Sequence, residues 1–259
     1  MVTAAALRLQ IEESLATRFP AALSPMPTTL RETAATGIAA VDVLLDGGLP
    51  VGAISEVVGP QCSGRTTLSL AFLASCTAKG QVCAWVDACD ALDPESAAAS
   101  GVHLPLLLWI RCTNSSAASS TTKIPRAQKS WSHLDQALRA TDLLLQVGGF
   151  AALVLDLGGV DSAQGMRIPL ATWFRFRQAA DRTRATLLVL GQASYAQSSA
   201  AVVLDCSTLR AEAQGETVLS RCGFQLSRRH ERFKQFSQQP RPPAAQWTSS
   251  TAWAAERSA

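Results

Sequence analysis

At 259 residues, 47% of them apolar and 17% charged, the chain is long enough for one α/β domain with tails and too apolar for global disorder. A formal net charge of +3 falls short of the clustered positive charge typical of DNA-binding domains, so nucleic acid is not implied by charge alone. Seven cysteines with no C-x-x-C pair argue against a disulfide frame or a zinc site and for free thiols in a reducing cytoplasm; no apolar run reaches the ~18 residues of a membrane span, and the first residues lack a secretory leader pattern. Residues 4–18 predict an amphipathic helix, with Leu7, Ile11 and Leu15 four residues apart, docking either on its own domain or on a neighbour. Pro25 to Thr36 reads as a linker, so residues 1–35 are set apart from a core expected over 36–236. In that core a short helix (38–45) and a glycine turn lead into an apolar strand, Ala53 to Val58. A helix from about Thr66 to Ala78 ends at Gly80, as a C-terminal glycine allows. Strands follow at 81–86 and 106–111, with an acidic loop (87–94) and a small helix (95–100) between them. Residues 113–130, rich in Ser, Thr and Lys without period, predict a flexible insert. A helix over 132–147, a strand at 151–155, an arginine-rich helix over 167–184 and a strand at 186–190 complete the alternation. Three less regular closing strands are expected at 200–204, 207–212 and 223–229, and a disordered tail from 237 to 259.

Strands alternating with helices predict a three-layer α/β/α fold around a mostly parallel sheet, with ligands at the carboxyl ends of the strands. One stretch at such an end carries chemistry: Gly59, Pro60, Gln61, Cys62, Ser63, Gly64, Arg65, Thr66 and Thr67, set between an apolar strand and an apolar helix. The spacing is that of a phosphate-binding loop, G-x-x-x-x-G-K-[ST], with Arg65 in place of the lysine. Glycines let backbone N–H groups turn inward on phosphate oxygens, and the helix N-terminus adds positive potential. Thr66 offers a hydroxyl to Mg²⁺. Asp156, at the tip of a wholly apolar strand, reads either as a holder of the Mg²⁺-bound water or as a helix cap. Asp87 and Gln192 fall at neighbouring strand ends. The arginines of 167–184 read either as a phosphate-reading face or as a solvated face over the apolar stripe of Trp173, Phe174 and Phe176.

These residues resemble the RecA recombinase core: Thr36-Gly37, Leu44 to Gly52, Glu56 to Pro60, Ser63-Gly64, Thr66 to Leu68, Gly80 to Ala88 and Ala91 to Pro94, in that order, with a looser likeness over 133–206. The resemblance implies a RecA-like P-loop NTPase fold, ATP and Mg²⁺ as cofactors, filaments on single-stranded DNA, and work in recombinational repair and the SOS response. It places Cys89 where the family has its catalytic glutamate, Gln192 at the γ-phosphate switch, and Thr66 and Asp156 at the metal. It also marks departures: Arg65 for lysine, Cys89 for the base, Leu157 for a hydroxyl residue, and almost no DNA-binding loop between Ala193 and Ala200. A shortened RecA paralog results, similar to the ImuA type that assists error-prone translesion synthesis. The expected partners are DNA-repair proteins (polymerases of the SOS mutasome, or RecA), with single-stranded DNA and self-association also open. The reading is an accessory scaffold with weak or no ATPase activity; the alternatives are a working DNA-dependent ATPase and a regulator acting through protein contacts alone.

Overall fold

The computed structural model describes residues 31–112, 132–214, 218–231 and 241–250. The amphipathic helix expected over 4–18 and the insert expected over 113–130 lie outside these residues. The core starts earlier than the expected boundary at 36. Strand β1 (Thr33–Ala34) pairs antiparallel with β2 (Leu49–Pro50), and Arg31 donates to the Gly52 carbonyl at 2.7 Å.

Between β1 and β2 lies α1 (Ala39–Leu44). The main sequence then runs β3 (Ile54–Val58), α2 (Arg65–Thr77), β4 (Cys83–Asp87), α3 (Pro94–Ala99), β5 (Leu107–Arg111), α4 (His133–Val147), β6 (Ala152–Asp156), α5 (Ser162–Gly165), α6 (Leu170–Thr183) and β7 (Thr186–Gly191). It closes with β8 (Val202–Gln214), β9 (Val218–Glu231) and β10 (Ala244–Ser250). Eight strands form one sheet in the order β10-β9-β8-β3-β7-β6-β4-β5. From β8 to β5 every pairing is parallel, whereas β9 runs against β8 and β10 against β9.

The central strands are largely apolar because both faces are covered, with Ser55 and Glu56 of β3 as buried exceptions. Alternate side chains serve opposite layers. Val57, Trp85, Val154 and Leu188 pack with Phe72, Leu73 and Leu44 of α1 and α2. Ile54, Val86, Leu153 and Leu187 pack with Leu145, Trp173 and Phe176 of α4 and α6. Trp173 and Phe176 meet edge to face at 5.8 Å between centroids. Local signals set the helix starts. Asp93 accepts from Ser96 N–H at 3.0 Å ahead of Pro94, and Ser132 with Asp135 forms a capping box.

Two expectations are corrected. The closing strands are two long ones, not three short ones. Bulges at Val203/Leu204, Thr208/Arg210 and Glu212/Ala213 break the two-residue period, which hides the continuity in the sequence. The expected disordered tail contains β10, paired with β9 from Ala244↔Ser227 to Ser250↔Arg221. Its Gln, Thr and Ser residues resemble a solvated tail because one face of this edge strand meets water. On the other face Ala245 is buried and Trp247 packs on Phe224 at 5.5 Å. Arg241, just ahead of β10, forms ion pairs with Asp46 and with Glu231.

Candidate nucleotide site

The strand register brings the expected site residues to one edge. Val58 is level with Gly191, Asp156 with Leu190, and Asp87 with Asp156. The segments that follow β3, β7, β6 and β4 therefore leave the sheet side by side.

The loop after β3 curls because two residues take left-handed backbone, Cys62 at φ 60° and Gly64 at φ 92°. Such alternation turns successive N–H groups toward one side, as an anion nest requires. Helix α2 starts directly at Arg65, one residue earlier than the sequence suggests. Pro60, Gln61, Cys62 and Thr66 are exposed, Gly59 and Thr67 half-buried, and Ser63, Gly64 and Arg65 buried. A hollow of about 230 Å³ opens over Cys62 to Thr67, with Cys222 and Phe224 of β9 as its far wall. Two of its lining residues each keep a buried polar atom, Ser63 Oγ and Arg65 Nη1, with no hydrogen-bond partner among the described residues. Buried donors without partners are uncommon in folded proteins, and here both belong to the cradle.

Strand β8 braces the loop from beneath. The Cys206 thiol donates to the Ser63 carbonyl at 2.9 Å, and Thr208 Oγ1 donates to the Cys62 carbonyl at 2.6 Å. Burial pushes the Cys206 thiol up to about 12, so it stays a donor. Phe224 lies against Gly64 so closely that a Cβ there would come within 2.6 Å of the ring. No local signal marks Cys206, Thr208, Cys222 or Phe224 as site residues, because they sit on strands whose alternation is broken by bulges.

The turn after β6, Leu157-Gly158-Gly159, is where the other candidates meet. Asp156 Oδ1 accepts from Gly158 N–H at 2.8 Å. Gln192 Nε2 donates to the Gly158 carbonyl at 3.1 Å. The point a Gly158 Cβ would occupy is 3.0 Å from Asp156 Oδ1 and 3.3 and 3.4 Å from Arg65 Nη1 and Nη2. Cys89 Sγ lies 2.9 Å from the corresponding point on Gly159. Arg65, Asp156, Gln192 and Cys89 are thus gathered around two glycines at which a side chain would be crowded.

Electrostatics separates these groups. Burial first, then the nearby Asp156 and Asp87 carboxylates, push the Cys89 thiol up, which keeps it protonated and a poor base. Asp87 is fully buried and already engaged. Its Oδ2 accepts from Leu92 N–H at 2.8 Å and Trp109 Nε1 at 3.4 Å, and its Oδ1 from Cys89 N–H at 3.2 Å. It folds the acidic loop and has little left for a ligand. Asp156 is raised from 3.8 to about 6, mainly by burial, with Asp87 adding to the rise and Arg65 opposing it.

A carboxyl whose folded-state value exceeds its unfolded value favours folding most when protonated. That stability is full below about pH 4 and is lost as pH rises through 6. Asp156→Asn is therefore expected to be more stable than the parent at about pH 7, by on the order of 2 kcal/mol, with the gap closing toward about pH 4. Urea midpoints across that range check this; an Asn variant weaker at neutral pH would contradict it.

The candidate metal ligands were tested against this geometry. Thr66 is exposed at the start of α2, and Asp156 spends one oxygen on Gly158. The Arg65 guanidinium already flanks the same point as Asp156. No cluster of three His, Cys, Asp or Glu occurs among the described residues. The cradle fits an anion; the donor set fits a divalent cation poorly, because a cation held by Asp156 would sit beside a fixed positive charge.

The arginine-rich helix turns its apolar side inward through Trp173 and Phe176. Arg175 pairs with Asp142 at 3.0 Å and Arg184 with Glu32. These two arginines form a solvated, ion-paired face. No helix among the described residues is long and apolar enough to cross a membrane.

Comparison with known proteins covers the part of the chain that carries the loop. Residues 6–121 match the RecA N-terminal domain. Over 126 residues the chain is 40% identical to protein RecA of Allorhizobium ampelinum, 39% to that of Agrobacterium fabrum and 36% to that of Psychrobacter cryohalolentis. Each alignment spans 48% of this chain and only 30% of the relative's own length.

Proposed function

We propose, for a chain that belongs to the RecA family through its amino-terminal half, that it is an accessory protein of DNA repair and recombination. In this reading it binds ATP in the hollow over Cys62 to Thr67 and turns it over slowly or not at all. It serves other repair proteins as a scaffold, in the manner of the ImuA type within the SOS response. The observation that carries the reading is the contrast between frame and chemistry. Arg65, Asp156 and Gln192 meet around Gly158, while the basic residue is a buried guanidinium and the residue expected at the base position is a thiol whose pKa is raised.

Hydrolysis needs a group that activates water and a charge that follows the developing negative charge on phosphate. A thiol held above its ordinary pKa supplies the first poorly. A planar guanidinium wedged against Gly158 is not a flexible ammonium and cannot move with the phosphate in the same way. Losses of this kind are commonly on the order of 10²-fold each. The expected result is turnover below about 0.1 s⁻¹, against roughly 10 s⁻¹ for an ordinary enzyme, with or without single-stranded DNA. A DNA-stimulated rate well above that limit supports the working recombinase instead. Capture of repair polymerases or RecA from DNA-damaged cells distinguishes the repair accessory from a regulator with other partners.

A further inference from the structure

We propose that the hollow takes a nucleoside triphosphate as a metal-free anion, with Arg65 as the resident counter-ion in the place a divalent cation would take. The inference rests on the nucleotide-binding reading above and concerns how its charge is balanced.

Arg65 is only 9% exposed, and its Nη1 has no hydrogen-bond partner among the described residues. A buried, unpartnered guanidinium nitrogen is costly unless an anion completes it. The residue lines the hollow, as does Ser63, whose Oγ is a second buried group without a partner among the described residues. Both stand at the N-terminus of α2, a 13-residue helix whose first amides also lack partners within the helix. The loop amides, the start of the helix and the guanidinium thus lie close together, and a guanidinium can bind phosphate oxygens in pairs.

The same guanidinium weighs against metal. Its two terminal nitrogens and Asp156 Oδ1 lie within 3.0 to 3.4 Å of a single point beside Gly158. Mg²⁺ demands a near-octahedral shell and keeps several of its waters. Such a shell would have to form where a fixed cation already stands, using a carboxylate that also serves Gly158 N–H. An arginine held in place offers positive charge without that shell.

Calorimetric titration of the full chain with ATP, once in EDTA and once in excess Mg²⁺, tests the inference. The two affinities are expected to agree within fivefold. Arg65→Ala is expected to weaken binding at least tenfold in both buffers, and Arg65→Lys to restore a preference for the Mg²⁺ buffer. Binding by the unaltered protein that tightens more than fivefold with Mg²⁺ overturns the inference and leaves the nucleotide reading intact. No binding in either buffer overturns both. Because the decisive comparison uses the unaltered chain, a variant that fails to fold does not rescue the proposal.

Discussion

Gly64→Ala is expected to cost about 3 kcal/mol of stability, and the melting temperature of a domain this size should fall by roughly 6–12 °C. Two independent effects add. Gly64 sits at φ 92°, where a side chain strains the backbone by roughly 1 kcal/mol. The new methyl would also stand 2.6 Å from two ring carbons of Phe224, which is itself buried and packed on Trp247. The ring cannot retreat without pushing β10 outward. A paired measurement separates the terms. Phe224→Leu in the Gly64→Ala background should recover the steric part and leave the backbone part. If Gly64→Ala melts within about 2 °C of the parent, the close packing of β9 on the loop is wrong.

Glu56→Ala is expected to be more damaging, by about 4 kcal/mol. Glu56 lies in the middle of β3 and is 1% exposed, a rare position for a carboxylate. It is held there by three donors from the turn after β7: Ser194 Oγ at 2.5 Å, Tyr195 N–H at 2.7 Å and Ala196 N–H at 2.9 Å. Truncation would leave two buried amides without an acceptor and a void in the sheet. Glu56→Gln keeps an acceptor oxygen of the same reach, so a loss of only about 1–2 kcal/mol is expected. Chemical denaturation of both variants gives the comparison. Equal losses would mean that charge, not hydrogen bonding, holds the turn. Because Gln192 stands two residues before Ser194, the Ala variant should also release its bond to the Gly158 carbonyl.

The sequence disclosed the parts of this protein that depend on nearest neighbours. Strands with unbroken apolar runs, such as Ala152–Asp156 and Thr186–Gly191, can only be buried, and the glycine loop between a strand and a helix has few other uses. The edge on which Asp156, Gln192 and the loop assemble followed from the parallel alternation. What stayed hidden depends on partners far along the chain. Nothing near Glu56 announces donors 138 to 140 residues away. Nothing near Gly64 announces Phe224, because the bulges of β8 carry the hairpin out of a simple period before it returns to the loop. Arg65 was visible as a substitution, but its burial against Gly158 was not, since that depends on two glycines after β6. Strand β10 was hidden by composition, because an edge strand wetted on one face looks like a tail.

The place of β3 in the sheet has a consequence for synthesis on the ribosome. Its two neighbours are β7 and β8, which begin at Thr186 and Val202. The strand carrying the loop therefore emerges early and waits for about half the chain before either flank is paired. Such a delayed closure folds slowly and leaves two open, sticky edges on an apolar strand in the interval. Nascent chains halted before about residue 186 should need a chaperone to stay in solution, whereas release past β8 lets the centre of the sheet seal.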